Sequence, residues 1–137
     1  RQNVAFGLSE NEIDDLKVEA ALRAASLWDF VNELPDATQT MVGERGVRLS
    51  GGQRQRLGIA RALYVEPQVL VFDEATSALD DETEREIVDS IRKFGQNRTV
   101  ITVAHRSNTL IHCSRILRLE NGRIIADGTR QAVLGSV

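Results

Sequence analysis

Two short stretches hold the residue types that phosphate chemistry uses. In Ser50-Gly51-Gly52-Gln53 a serine hydroxyl precedes two glycines, and a glutamine stands three residues after it. That spacing is a capping box, in which the hydroxyl accepts from the amide three residues on and the glutamine reaches back to the cap amide. The glycines leave the first amides of the helix open to an anion, which the positive end of the helix dipole favours. In Val69-Leu70-Val71-Phe72-Asp73-Glu74 an apolar run ends in two carboxylates. Such a run reads as a strand covered on both faces in a parallel sheet, with acid groups delivered to its end, where a magnesium ion and an attacking water can be held. The combination points to hydrolysis of a nucleoside triphosphate.

Each piece alone has an ordinary reading, as a plain helix start and a plain strand end. The longer string is more specific. Five specified residues, Leu49-Ser50-Gly51-Gly52-Gln53, each used at about 5 to 10 per cent, match a given position roughly once in a million tries. This string resembles the signature motif of the ATP-binding-cassette (ABC) ATPases, and residues 69–74 resemble their Walker B strand. Ser77-Ala78-Leu79-Asp80 is similar to the family's D-loop. His105, directly after Val100-Ile101-Thr102-Val103-Ala104, resembles its switch histidine. All four stand in the family order. Val42-Gly43-Glu44-Arg45-Gly46 resembles a motif of the exporter branch, and the likeness runs over residues 1–137.

The resemblance implies an α/β fold: a P-loop NTPase-like (RecA-like) parallel sheet portion plus an α-helical subdomain, truncated at the amino end. Residues 1–66 would form the helical subdomain with the exporter loop and signature helix, and residues 67–137 the carboxyl-terminal part of the ATPase core. The implied cofactors are ATP and Mg2+. Asp73 would hold magnesium through water, Glu74 would position the attacking water, His105 would bond the γ-phosphate, and Asp80 would pass information between opposed sites. Leu49, Ser50, Gly51, Gly52 and Gln53 would meet the nucleotide, while Glu44 and Arg45 would lie near the coupling region of a transmembrane domain.

No phosphate loop of the form G-x-x-x-x-G-K-[ST] is found. Gly46 and Gly51 have the right separation, but Gly52 and Gln53 stand where Lys and Ser or Thr are needed. The chain opens at Arg1 without methionine and reads as an excerpt lacking the Walker A and glutamine loops. A helix amino end alone supplies only about 0.3 to 2 kcal/mol toward an anion, so the signature does not hold ATP unaided. The resemblance implies the resolution: a second nucleotide-binding domain, in a homo- or heterodimer, docks head to tail and makes two composite sites. The full-length protein would then be an ATPase that powers export from the cytoplasmic face of a membrane, the isolated chain being inactive. Rival readings are a soluble ABC-type ATPase of DNA or ribosome function, which the exporter-like motif and the negative charge disfavour, and a non-enzymatic dimerisation module.

A chain of 137 residues suffices for one core, and 42% hydrophobic with 27% charged residues fits a globular protein. No run approaches the roughly 18 apolar residues of a membrane span, and the amino end has no secretory pattern. The net charge of -3 argues against nucleic acid as a partner. Arg45, Arg48, Arg54, Arg56 and Arg61 read as a mostly solvated helix face. One cysteine, Cys113, excludes an internal disulfide and suits a reducing compartment.

The elements that must position these groups are legible from spacing. The capping box Ser9-Glu10-Asn11-Glu12 predicts a helix over 10–25, and a second short helix should carry Trp28 until Pro35 ends it. Trp28 reads as core rather than as an adenine platform. Residues 36–47 form a polar connection. The signature helix should run over 51–65, with Gly58 packed closely against another element. Asp80 or Asp81 should cap a helix with an apolar stripe of Ile87, Ile91 and Phe94, stopped at Gly95, and residues 99–104 form a second strand. An Asn121-Gly122 turn closes a hairpin, and a short helix over 129–134 follows. His112 and Cys113 have no evident partners and receive no role.

Overall fold

The computed structural model describes residues 1–43, 48–74, 79–96, 98–104 and 107–135. The amino-terminal helical region follows from its caps. Ser9 donates from both its amide and its hydroxyl to Glu12, at 3.0 and 2.6 Å, but this box heads only a single 3-10 turn, Glu10–Glu12. Asp14 then takes the amides of Leu16 and Lys17, at 2.9 and 3.2 Å, and α1 starts afresh at Asp15–Ala24. The single helix expected over 10–25 is therefore broken, because a second cap captures the amides that continuation would need. Between the two, Ile13 is extended and turns into the core.

Helix α2, Trp28–Asn32, follows a tight junction in which Ser26 has φ +49° and the Leu27 amide bonds Leu22 O at 2.9 Å. Trp28 packs partly buried against the core with the Arg23 guanidinium 4.9 Å from its ring centroid, as the core reading requires. Helix α3, Gly51–Tyr64, buries Ile59, Ala60, Leu63 and Tyr64, one face at helical spacing, against α1. The Tyr64 hydroxyl accepts from the Asp14 amide at 3.1 Å.

Strands β1, Val69–Asp73, and β2, Thr99–Val103, pair in parallel with Val69 opposite Thr99 and Asp73 opposite Val103. Helix α4, Asp81–Phe94, connects them, capped by Asp80. Ile87 of the expected stripe is fully buried and Ile91 packs beside it; the Phe94 side chain lies outside the described residues. Strands β3, Ile116–Glu120, and β4, Arg123–Gly128, form an antiparallel hairpin. Its turn residues Asn121 and Gly122 both have positive φ, +50° and +74°, as a two-residue primed turn demands. Helix α5, Arg130–Leu134, begins at the Thr129 cap.

One continuous core joins α1, α3, β1 and α4 through Leu22, Leu63, Leu70, Phe72, Leu79 and Ile87. Fully burying side chains such as Leu22, Leu27 and Ile87 contributes about 1.5 to 3 kcal/mol each. Two expectations are corrected. Residues 69–72 are not covered on both faces: Leu70 and Phe72 are buried, whereas Val69 and Val71 are 53% and 60% exposed, and Ile101 and Val103 on β2 are 48% and 49% exposed. Successive side chains of a strand point to opposite faces, and among the described residues only one face of this pair is covered. At Gly58 an added Cβ would meet nothing within 4 Å among the described residues, so close packing within them does not explain that glycine.

Candidate functional site

The capping box at the start of α3 forms as its spacing requires. The Gln53 amide donates to Ser50 Oγ at 3.2 Å, and the Ser50 amide donates to Gln53 Oε1 at 2.9 Å. The amides of Gly51 and Gly52 are first-turn groups with no intrahelical acceptor. Gly51 is exposed, and among the described residues a Cβ placed there would have only the Arg54 guanidinium within reach, at 4.0 Å. Because Ser50 Oγ accepts from Gln53, its own hydrogen remains available as a donor to an outside acceptor. Leu49 differs from its neighbours: at 8% exposure its side chain anchors the loop in the core. The exposed end of α3 thus offers two amides and a hydroxyl, a set of donors suited to a phosphate.

The arginines nearby are not simply a solvated face. Arg48 Nη1 donates to Met41 O at 3.1 Å, Arg54 Nη1 to Leu49 O at 2.5 Å, Arg56 Nη1 to Ser26 O at 2.6 Å and Arg61 Nε to Asn3 O at 2.8 Å. Each braces a loop carbonyl, and through Arg54, Arg56 and Arg61 helix α3 is tied to the segments at Leu49, Ser26 and Asn3. Arg45 lies outside the described residues, as do Glu44 and His105 and the D-loop residues Ser77 and Ala78.

Asp73 and Glu74 stand exposed at the carboxyl end of β1, the edge at which open α/β sheets bind ligands. The Glu74 amide donates to Val103 O at 3.0 Å, which extends the pairing with β2 beyond the last ladder residue. Glu74 has φ +49°, a left-handed conformation that costs a non-glycine residue about 1 to 2 kcal/mol. Its carbonyl is held as well, accepting from Gln55 Nε2 at 3.2 Å. Two such hydrogen bonds, each worth about 0.5 to 1.5 kcal/mol net, are together of the size needed to offset that strain. Motif reading did not single out Gln55, since a contact across 19 positions leaves no trace in local spacing.

Asp80 caps α4, accepting from the Thr83 amide at 3.0 Å and the Thr83 hydroxyl at 2.8 Å. Those bonds, the amide first, hold its carboxyl below the ordinary range. Farther along, buried Glu84 of α4 accepts from Thr109 Oγ1 at 2.7 Å. His112 has a partner after all, its Nε2 lying 3.2 Å from Asp89 Oδ1 of α4. Burial pushes the Cys113 thiol up, away from the reactive thiolate.

Among the described residues no group of three or more His, Cys, Asp or Glu side chains could hold a metal ion unaided. The exposed Asp73 carboxylate still fits magnesium, which keeps much of its water and takes one or two protein carboxylates alongside substrate phosphates.

The α3 end offers donors suited to a phosphate and β1 ends in two exposed carboxylates, residue types that nucleotide chemistry uses. Comparison with known proteins narrows this. The family profile described as ABC transporter matches residues 2–77, and the chain belongs to the ABC transporter family. An ATP-dependent lipid A-core flippase of Burkholderia pseudomallei is 49% identical over 132 residues, which cover 96% of this chain and 22% of that protein. A flippase of the same description from Methylobacillus flagellatus is 48% identical over the same length, with the same coverage. A solved bacterial Atm1-family ABC exporter with ATP bound superimposes with a TM-score of 0.88 at 41% identity, covering 97% of this chain and 23% of the exporter chain. The fold is therefore that of the corresponding part of an ABC exporter, and the α/β reading holds. The chain spans about a fifth of the length of these relatives. No helix among the described residues is long and apolar enough to cross a membrane.

Proposed function

We propose that residues 1–137 work as part of the ATP-hydrolysing nucleotide-binding domain of an exporter, 1–66 serving as its helical subdomain and 67–137 as the carboxyl-terminal part of its ATPase core. The observation that carries this reading is the formed capping box, with exposed Ser50 and Gly51 at the head of α3, in a chain 49% identical to ATP-dependent flippases. The second such domain carries the nucleotide that meets Ser50, Gly51, Gly52 and Gln53. Leu49 holds that loop by its buried side chain. The paired domain is a homo- or heterodimer partner, and the transmembrane domain of the same transporter contacts Glu44 and Arg45 on the cytoplasmic side.

Each composite site divides the work. Bound Mg2+ with ATP supplies charge neutralisation on the phosphates and an electrophilic γ-phosphorus. Asp73 would hold that ion. Glu74 orients the attacking water, and the two bonds to its backbone set the direction in which its side chain leaves the chain. His105 donates to the γ-phosphate. On the facing domain Ser50 and the two glycine amides donate to the same phosphate, where charge builds in the transition state. Loss of the γ-phosphate removes the group that both domains grip, and the pair loosens, which drives the membrane part. Asp80, fixed by Thr83, stands at the D-loop to carry that state between the two sites.

The test is Glu74→Gln in the full-length transporter. Turnover should fall sharply while ATP-dependent dimerisation of the domains persists, and the purified chain 1–137 should hydrolyse no ATP. Wild-type turnover by Glu74→Gln would refute the role of Glu74. Magnesium-dependent turnover by the isolated chain would refute the need for a composite site.

A further inference from the structure

Gln53 and Gln55 leave α3 on different sides. At about 100° per residue two steps turn the side chain through roughly 200°. Gln53 folds back onto the Ser50 amide, and Gln55 crosses to the end of β1, where Nε2 donates to Glu74 O at 3.2 Å. On the other side of the same residue, the Glu74 amide is held by Val103 O at 3.0 Å. The two peptide groups flanking the Glu74 Cα are thus gripped by different parts of the molecule, β2 on one side and the phosphate-facing helix on the other. With φ +49°, the backbone sits in a region a glutamate rarely visits without support, so the direction in which the carboxylate leaves depends on both grips.

We propose that Gln55 is a positioning residue for Glu74, through which the helix that meets the opposite nucleotide sets the hydrolytic geometry at the chain's own site. This rests on the composite-site reading above. Gln55 touches no nucleotide in this scheme. A phosphate docking on residues 50–53 settles the first turn of α3, and the Gln55 amide carries that settling to the Glu74 backbone. Occupancy of one composite site thereby tunes hydrolysis in the other, by a rigid link of one helical turn and one hydrogen bond.

The experiment compares Gln55→Leu, which keeps the bulk without the donor, with Gln55→Lys, which keeps a donor, in the full-length transporter. Removal of one hydrogen bond should lower kcat about three- to tenfold, with the KM for ATP unchanged and the Tm lowered by no more than a few degrees. Gln55→Lys should recover at least half of the loss, and in a Glu74→Gln background Gln55→Leu should add nothing. An unchanged kcat, a loss that lysine does not relieve, or a KM that moves with kcat would overturn the proposal. Wild-type turnover by Glu74→Gln alone would instead overturn the functional reading on which it rests, so the two failures are distinct.

Discussion

Ser50 has two roles that one set of substitutions can separate. Its Oγ accepts from the Gln53 amide at 3.2 Å and so caps α3, and its hydroxyl hydrogen is the proposed donor to the phosphate of the facing domain. Ser50→Ala removes both, and loss of the cap alone should cost about 1 kcal/mol of stability. Ser50→Asp keeps a strong cap, and a carboxylate at a helix amino end gains about 0.3 to 1 kcal/mol from the dipole, so the fold should be as stable as before or more so. At the phosphate the sign reverses. Two unit charges about 4 Å apart at an effective dielectric of about 20 repel by roughly 4 kcal/mol, close to a thousandfold in rate. Ser50→Asn keeps the cap without the charge and serves as the control. The assays are denaturant unfolding and magnesium-dependent ATP hydrolysis by the full-length transporter. Stability should rank Asp and Asn above Ala, and turnover should rank Asn well above Asp. Equal turnover for Asp and Asn would refute the placement of a phosphate at Ser50.

Other outcomes follow from the same structure. Gly58 lies mid-helix with open space around an added Cβ, so Gly58→Ala in the chain 1–137 should stabilise it by about 0.5 to 1 kcal/mol in denaturant unfolding; a destabilised variant would refute the open-space reading. Bonds from Thr83 depress the Asp80 carboxyl, so its capping contribution is present above the unfolded-state pKa and is lost as pH falls through the lower folded value. Asp80→Asn keeps an N-cap without a titrating group, and it should flatten the acid limb of the stability profile without abolishing folding. An acid limb of unchanged slope would refute that assignment.

Much of the candidate site was legible because its determinants are local. The Ser50 to Gln53 box, the Asp80 cap and the Asn121-Gly122 turn each follow from chemistry spanning a few residues, and the structure forms all three. The break at Asp14 was hidden because two adjacent caps, Ser9 and Asp14, compete for the same stretch of chain. Strand faces were misjudged because the apolar run 69–72 reports hydrophobicity without reporting what covers it. Bonds such as Gln55 to Glu74, Arg56 to Ser26 and Asp14 to Tyr64 join residues 19, 30 and 50 positions apart, and no local spacing encodes them. The left-handed backbone at Glu74 belongs to the same class, since partners distant in sequence hold its amide and its carbonyl.

The most direct measurement is a structure of the full-length Glu74→Gln transporter trapped with ATP and magnesium. The expected result is a nucleotide held on the facing domain, with Ser50 Oγ and the Gly51 and Gly52 amides at about 3 Å from oxygens of its γ-phosphate, and Asp73 and residue 74 facing a separate nucleotide on their own side. A trapped dimer in which Ser50 points away from the triphosphate, or in which Ser50 and Asp73 of one chain serve the same nucleotide, would contradict the composite site.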